Sequence, residues 1–82
     1  MEPARTPKQL GNTIRDARRK LGWSQTVLGE RTGLRQETVS RLETGNPAVR
    51  LDTVLAVLAV LDCELQVQAR TQGAPVPLED MY

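Results

Sequence analysis

The sequence contains no histidine and no phenylalanine, and it has one cysteine, one tryptophan and one tyrosine. A zinc site needs several Cys, His or carboxylate ligands, and a Ser-His-Asp or Cys-His catalytic site needs an imidazole. A stacking platform for single-stranded nucleic acid needs several aromatic side chains, whereas this chain offers Trp23 and Tyr82 alone. These shortages predict a protein that is not an enzyme and that holds neither a metal ion nor another cofactor.

The cysteine content and the apolar runs bear on the cellular compartment. The single cysteine, Cys63, cannot form an internal disulfide, which fits a reducing cytoplasm. No apolar stretch typical of a secretion signal follows Met1. The longest apolar run, residues 54–61, is far shorter than the roughly 20 residues of a membrane span. We therefore expect a cytoplasmic protein without a membrane segment.

The net charge of +1 conceals two halves of opposite sign. Residues 1–50 hold ten Lys or Arg and five Asp or Glu, for a net charge of +5, whereas residues 51–82 have a net charge of −4. A basic half is typical of a surface that meets phosphate, and an acidic half of one that faces away from it or towards another partner. Charge alone leaves open the alternative of an ordinary solvated surface.

Apolar spacing and helix-capping residues predict four helices, at about residues 7–21, 25–32, 36–44 and 51–62. Thr6 and Pro7 are typical of a helix start, and Gly22 and Gly33 of helix ends. The two short central helices about a glycine turn are the pattern of a helix-turn-helix. The residues predicted to face the core are Leu10, Ile14, Ala17, Leu21, Val27, Leu28, Val39, Leu42, Val54, Leu55, Leu58 and Leu61.

The segment 63–70 alternates apolar and polar residues, which predicts a β-strand. Continuation of the fourth helix is the alternative, because Leu58, Leu61 and Leu65 also fit one helical face. A lone strand has no partner within its own chain, so we expect antiparallel pairing with a second copy about a twofold axis. The apolar side of the strand is predicted to make this dimer contact and consists of Cys63, Leu65, Val67 and Ala69. Residues 1–5 and 71–82 are expected to form a flexible arm and a flexible tail.

The outer side of the third helix carries residues suited to reading base edges. Val39 and Leu42 occupy the inner side, so four polar residues project outward, namely Gln36, Glu37, Ser40 and Arg41. Arg pairs with guanine, Gln pairs with adenine, and Glu accepts from cytosine N4. This arrangement predicts a recognition helix for double-stranded DNA.

Residues 24–45 resemble the helix-turn-helix of the XRE family, to which the Cro and CI phage repressors belong, over 22 consecutive positions. The resemblance rests on the Ser24-Gln25 start, the glycine turn and the run Val-Ser-Arg-Leu-Glu-x-Gly that begins at Val39. It implies a mainly α, lambda-repressor-like domain of four to five helices over residues 6–62. It also implies that Arg18 and Glu43 form a structural salt bridge.

The resemblance assigns roles to further positions. Gln25 matches the position that braces the reading helix and touches phosphate or base. Four residues match positions that bind backbone phosphates, namely Ser24, Thr44, Asn46 and Arg50. Taken singly, their alternatives are a cap, a turn and a solvated charge. Two residues depart from the family pattern: Gly29 replaces the usual Ala, and Arg35 replaces the usual Ser, Thr or Asp cap, where it is a good probe of phosphate or base.

A further set of features resembles the HipB-type antitoxins. The set consists of Arg35, the opening of the first helix, the Gly-Trp-Ser-Gln junction that begins at Gly22, the strand and the aromatic end. That branch implies a homodimer that binds palindromic operators upstream of its own operon and holds a HipA-type serine/threonine kinase toxin inactive. The acidic tail ends in Met81 and Tyr82, an apolar pair suited to a partner's groove, although the tail without a role is the alternative. A stand-alone XRE regulator without a toxin partner is the alternative for the whole chain.

Overall fold

The computed structural model describes residues 3–70, and this part of the chain folds into four helices. They are α1 (Pro7–Lys20), α2 (Gln25–Thr32), α3 (Gln36–Thr44) and α4 (Leu51–Val60). The prediction of a mainly α helix-turn-helix domain is confirmed. The predicted tail, including Met81 and Tyr82, lies outside the described residues.

Helices α1 and α2 begin where the sequence places capping residues. The Thr6 side chain accepts a hydrogen bond from the Gln9 backbone N–H, and Pro7 occupies the first position of α1. The Ser24 side chain accepts from the Val27 N–H and caps α2 in the same way. The turn between α2 and α3 passes through Gly33, whose φ of 73° is costly for residues with a side chain. The sequence therefore determines the start of α1 and the α2–α3 turn locally.

The core lies between all four helices, and its fully buried side chains are Ile14, Leu28, Val39 and Val57. Two residues predicted to face the core do not, since Leu21 is 49% exposed and Leu55 is 44% exposed. Leu21 is the residue after the last residue of α1, at its C-cap, where the helical face no longer applies. In α4 almost every residue is apolar, so the pattern did not fix the helix phase, and the structure buries Val57 instead of Leu55.

Helix α1 packs closely against the C-terminal end of α3 at a glycine. A Cβ added to Gly11 would lie 2.5 Å from the carbonyl oxygens of both Leu42 and Glu43. Only the absence of a side chain permits this approach, because real Cβ atoms essentially never lie that close to other heavy atoms. Gly11 thus sets how α1 supports α3, a role that the helical spacing did not reveal.

The strand predicted at residues 63–70 is not shown: among residues 3–70 the structure contains four helices and no strand. The alternative of a continuing helix is wrong, since α4 ends at Val60 and Asp62 adopts a left-handed φ of 58°. A strand is defined by backbone hydrogen bonds to a neighbouring strand, and the described part of one chain provides no such neighbour for this segment.

Candidate nucleic-acid interface

Four of the predicted base-reading residues lie along the outer side of α3. Val39 and Leu42 are buried and fix this helix on the core, while Gln36, Glu37 and Arg41 are exposed and Ser40 is half-buried. Ser40 follows Gln36 by one helical turn, and Arg41 follows Glu37 by the same spacing, so the four form one patch. We call Gln36, Glu37, Ser40 and Arg41 the reading patch.

Arg35 stands directly before the reading patch, at the N-cap of α3. Its side chain makes no capping hydrogen bond, although its backbone carbonyl accepts from the N–H groups of Thr38 and Val39. The guanidinium is exposed. An N-cap is usually occupied by a short side chain that bonds the helix backbone. Arg35 leaves that cap unmade and adds an exposed cation to the edge of the patch.

A buried ion pair joins α1 to α3 beneath the reading patch. Arg18 Nε donates to Glu43 Oε2 at 2.7 Å, and Arg18 Nη2 donates to Glu43 Oε1 at 2.9 Å. Arg18 is 7% exposed and Glu43 is 2% exposed. These hydrogen bonds from Arg18 to Glu43 raise the pKa of the Arg18 guanidinium, whereas its burial acts in the opposite direction. The predicted structural salt bridge is confirmed.

The same ion pair is tied to the turn before α2. Arg18 Nη1 donates to the Trp23 carbonyl oxygen at 2.7 Å. The Trp23 ring in turn carries the Arg31 guanidinium 4.4 Å from its centroid, a cation–π contact. The sequence carried no signal for the pairing of Trp23 with Arg31. Arg18 therefore fixes both α3 and the start of α2.

Gln25 connects the ion pair to the reading patch. Its Nε2 donates to Glu43 Oε1 at 3.2 Å, and its Oε1 accepts from Gln36 Nε2 at 3.4 Å. Gln25 is half-buried, so it lies between the buried carboxylate and the exposed surface of α3. The structure thus brings Gln25 together with Gln36, as the role of a brace requires.

The four predicted phosphate ligands differ in the hydrogen bonds that they already make within the domain. Ser24 Oγ accepts from the Val27 N–H, which leaves its own O–H free to donate to another acceptor. Thr44 Oγ1 donates to the carbonyl oxygens of Ser40 and Arg41, at 3.0 and 3.2 Å, so its proton is already used within α3. Thr44 would have to rotate before it could donate to a phosphate.

Asn46 and Arg50 lie in the loop after α3. Asn46 Oδ1 accepts from the Ala48 N–H at 2.8 Å, which shapes the turn and leaves the amide donors available. Arg50 Nη2 pairs with Asp52 Oδ2 at 3.0 Å, but both side chains are largely exposed, at 81% and 68%. Exposed pairs of this kind are weak and exchange readily. Arg50 can therefore turn to a phosphate at little cost.

The predicted dimer residues line a groove on another side of the domain. The groove has a volume of about 630 Å³ and lies between α1, the end of α4 and the segment 63–70, with Pro3 to Arg5 at its edge. Leu65 is 52% exposed and Val67 is 93% exposed, whereas Cys63 is half-buried. Cys63 and Ala69 also line the groove.

Residues 3–70 contain neither a cluster of metal-ligating side chains nor a membrane-spanning helix. No three His, Cys, Asp or Glu side chains in this part of the chain are grouped so that they could hold a metal ion. Of its helices, none has the length and apolar character needed to cross a membrane.

Residues 14–68 match the model of a helix-turn-helix family, HTH_3. The chain belongs to this helix-turn-helix family. The XRE-type domain predicted from residues 24–45 is therefore confirmed. The prediction that the protein is not an enzyme is also confirmed, because the matched family consists of helix-turn-helix domains and the similar relatives are antitoxins.

Two similar curated proteins are HipB antitoxins. Antitoxin HipB of Escherichia coli (strain K12) is 27% identical over 74 residues, which cover 90% of this chain and 84% of that protein. The solved HipB-O4 20mer complex contains a chain of the same fold, with a TM-score of 0.76, 26% identity and coverage of 83% of this chain and 96% of that one. The HipA-HipB-O2-O3 complex gives a TM-score of 0.77 at 26% identity, over 88% of this chain and all of the other.

Proposed function

We propose that this protein is a sequence-specific, double-stranded DNA-binding transcriptional repressor of the cytoplasm, and the antitoxin of a HipA-type kinase toxin whose operon it regulates. The observation that carries the DNA-binding role is the reading patch, four polar side chains on the outer side of a helix that Val39 and Leu42 hold on the core. An α-helix fits the major groove of B-DNA, where each base pair presents a distinct set of donors and acceptors.

Each member of the reading patch has a base-edge partner in the major groove. Arg41 can donate two hydrogen bonds to guanine O6 and N7, and Gln36 can pair with adenine N6 and N7. Glu37 can accept from cytosine N4, and Ser40 can bond to several bases. Arg35 and Gln25 extend this set at the start of α3, where recognition helices meet the bases.

Phosphate contacts at the edge of the patch would set the position of α3 in the groove. Arg50 is exposed and held by one weak ion pair, and Ser24 keeps a free O–H at the N-terminus of α2, where the helix dipole favours an anion. Asn46 keeps its amide donors, whereas Thr44 needs a side-chain rotation. We rank Arg50 and Ser24 first among the four.

The protein acts as a homodimer in this proposal, and a palindromic operator follows from the twofold symmetry. Val67 is a β-branched apolar residue that is 93% exposed in the single chain, and Leu65 is 52% exposed beside the groove. Pairing of residues 63–70 with the same residues of a second copy would cover both side chains and satisfy the backbone groups of the segment.

The toxin partner is proposed from the likeness to HipB. A chain of the HipA-HipB-O2-O3 complex is matched over its whole length by this chain, at 26% identity. The outer surfaces of α1 and α4 stay free when α3 occupies the groove. Met81 and Tyr82, at the end of the acidic tail, remain our candidates for a partner contact.

A pull-down from the native cells tests the antitoxin role. The bait is the N-terminally tagged full chain, nuclease is added to remove DNA bridges, and a bait that ends at Arg70 is the matched control. We expect the full chain to recover a HipA-type kinase and the shortened bait to recover less. Equal recovery by both baits would reject the tail contact, and recovery of the bait alone would favour a stand-alone XRE regulator.

A further inference from the structure

The buried carboxylate of Glu43 and the exposed amide of Gln36 are connected through a single side chain, Gln25. A glutamine amide has one end that accepts and one end that donates, so its orientation decides which base edge it can match. The buried carboxylate can therefore fix the orientation of the amide groups between it and the surface of α3.

The orientation of Gln25 is set by the Arg18–Glu43 ion pair. Both oxygens of the Glu43 carboxylate accept from Arg18, and an ionised carboxylate has no proton to donate. Gln25 must therefore turn its NH₂ group towards Glu43 Oε1, as the 3.2 Å contact shows. The reverse orientation would bring two acceptor oxygens together beside a residue that is 2% exposed.

The orientation of Gln25 sets that of Gln36. With its NH₂ group on Glu43, Gln25 presents Oε1 to α3, and this oxygen accepts from Gln36 Nε2. The Gln36 amide keeps its Oε1 and one N–H available on the solvent side, so it presents one acceptor beside one donor. Adenine offers N7 as acceptor and N6 as donor in the major groove, which is the matching pair, whereas guanine offers two acceptors.

We propose that Glu43 is a positioning residue for base recognition, which acts through Gln25 to fix the orientation of the Gln36 amide and so commits Gln36 to adenine. This role goes beyond the ion pair's contribution to folding, and it rests on the proposed function, since it requires α3 to lie in the major groove. Arg18 takes part because it holds the carboxylate in place.

Selection from a random pool of duplex DNA, followed by sequencing of the bound fraction, tests the proposal with the full chain. Gln36→Ala first identifies the base pair that Gln36 reads, and Arg41→Ala identifies a second one as reference. We then expect Gln25→Leu to lower the adenine preference at the Gln36 position by about fivefold or more, and to leave the Arg41 position unchanged.

A second variant tests Glu43 itself. The double substitution Arg18→Met with Glu43→Gln removes both charges at nearly constant volume, which avoids an unpaired buried charge. The neutral amide at position 43 can accept or donate, so the orientation of Gln25 is no longer fixed, and we expect the adenine preference to fall here too. Ile14→Val, in the core and without a hydrogen bond to the connection, is the control for lost stability alone.

Each result supports or overturns the proposal. Selective loss at the Gln36 position in both variants, with normal selection by Ile14→Val, supports it. An unchanged adenine preference in the double variant overturns the role of Glu43, even if Gln25→Leu loses that preference. Equal loss at every position, in the variants as in Ile14→Val, reduces Glu43 to a structural role. A wild-type chain that selects no sequence contradicts the proposed function as well.

Discussion

At the scale of single residues, two exposed arginines are expected to act differently on DNA. Arg41 lies in the reading patch on α3, whereas Arg50 is the N-cap of α4, beside the loop that follows α3. We expect Arg41→Ala to cost about 1 to 3 kcal/mol on the preferred sequence and to relax the preference at one base pair. Arg50→Ala should weaken binding to all sequences about equally and reduce the salt dependence by about one phosphate contact.

Fluorescence anisotropy on matched duplexes, each repeated at several salt concentrations, separates the two effects. The division between base-reading and phosphate-binding residues is wrong if both variants lose the same factor on every duplex.

Two ion pairs within residues 3–70, Arg18–Glu43 and Arg50–Asp52, differ in burial and offer a second comparison. Glu43→Ala leaves the Arg18 charge buried without its partner, so we expect a loss of about 3 to 5 kcal/mol in the free energy of unfolding. Asp52→Ala breaks an exposed pair with Arg50 and should cost less than about 1 kcal/mol. Urea denaturation of the two variants measures both values. Similar losses for both would show that the buried Arg18–Glu43 pair stabilises the fold no more than the exposed pair does.

Single residues also show which contacts of the site could be predicted from the sequence. The Arg18–Glu43 pair was predicted by the family resemblance and was found at hydrogen-bonding distance. The connection from Glu43 through Gln25 to Gln36 was only partly predictable, because it depends on how α2 and α3 meet, which spacing within one helix does not define. The roles assigned to the reading patch stay predictions.

At the scale of the helical elements, the tight turn between α2 and α3 depends on Gly29. A Cβ added to Gly29 would lie 2.7 Å from the Leu34 carbonyl oxygen. The Leu34 backbone N–H also donates a hydrogen bond to the Gly29 carbonyl oxygen. An Ala inside a helix normally stabilises it by up to about 1 kcal/mol relative to Gly. We expect the opposite here: Gly29→Ala should destabilise the domain by about 1 to 3 kcal/mol through overpacking.

Thermal unfolding followed by circular dichroism measures this change. Thr26→Ala, at an exposed position of the same helix, is the control and should leave the melting temperature nearly unchanged. A higher melting temperature for Gly29→Ala would mean that the α2–α3 turn has room for a methyl group.

The bounds of α2 were predictable because local signals specify them. Ser24 and Gly33 mark the two ends of α2, and the structure places the helix between them. The inward side of α4 was not predictable, since a nearly all-apolar helix fits the core in more than one rotation and only the packing selects Val57 over Leu55. Packing between elements, as at Gly11, likewise has no signature within one segment.

At the scale of the whole molecule, we expect the segment 63–70 to decide the oligomeric state. Val67 contributes almost nothing to the core of one chain because it is 93% exposed. We therefore expect Val67→Asp to leave the fold of the protomer intact and to shift a micromolar solution from dimer to monomer, as measured by sedimentation. Gln68→Asp, on the other side of the predicted strand, is the matched control and should stay dimeric. A wild-type monomer at the same concentration would contradict strand pairing.

The strand illustrates what a single chain does not define. The alternation of Cys63, Leu65, Val67 and Ala69 with polar residues is a property of the sequence, but a strand exists only when another backbone completes its hydrogen bonds. The fold of residues 6–62 was therefore predictable from local capping and apolar spacing, whereas the assembly depends on contacts between copies.

Selection of the full wild-type chain on a random duplex pool tests most directly whether α3 reads the base sequence of double-stranded DNA. We expect a bound fraction with a palindromic consensus whose half-sites lie about one helical turn, or a multiple of it, apart. Arg41→Ala should change that consensus at one symmetric pair of positions. A bound fraction as random in sequence as the starting pool would contradict base reading by α3.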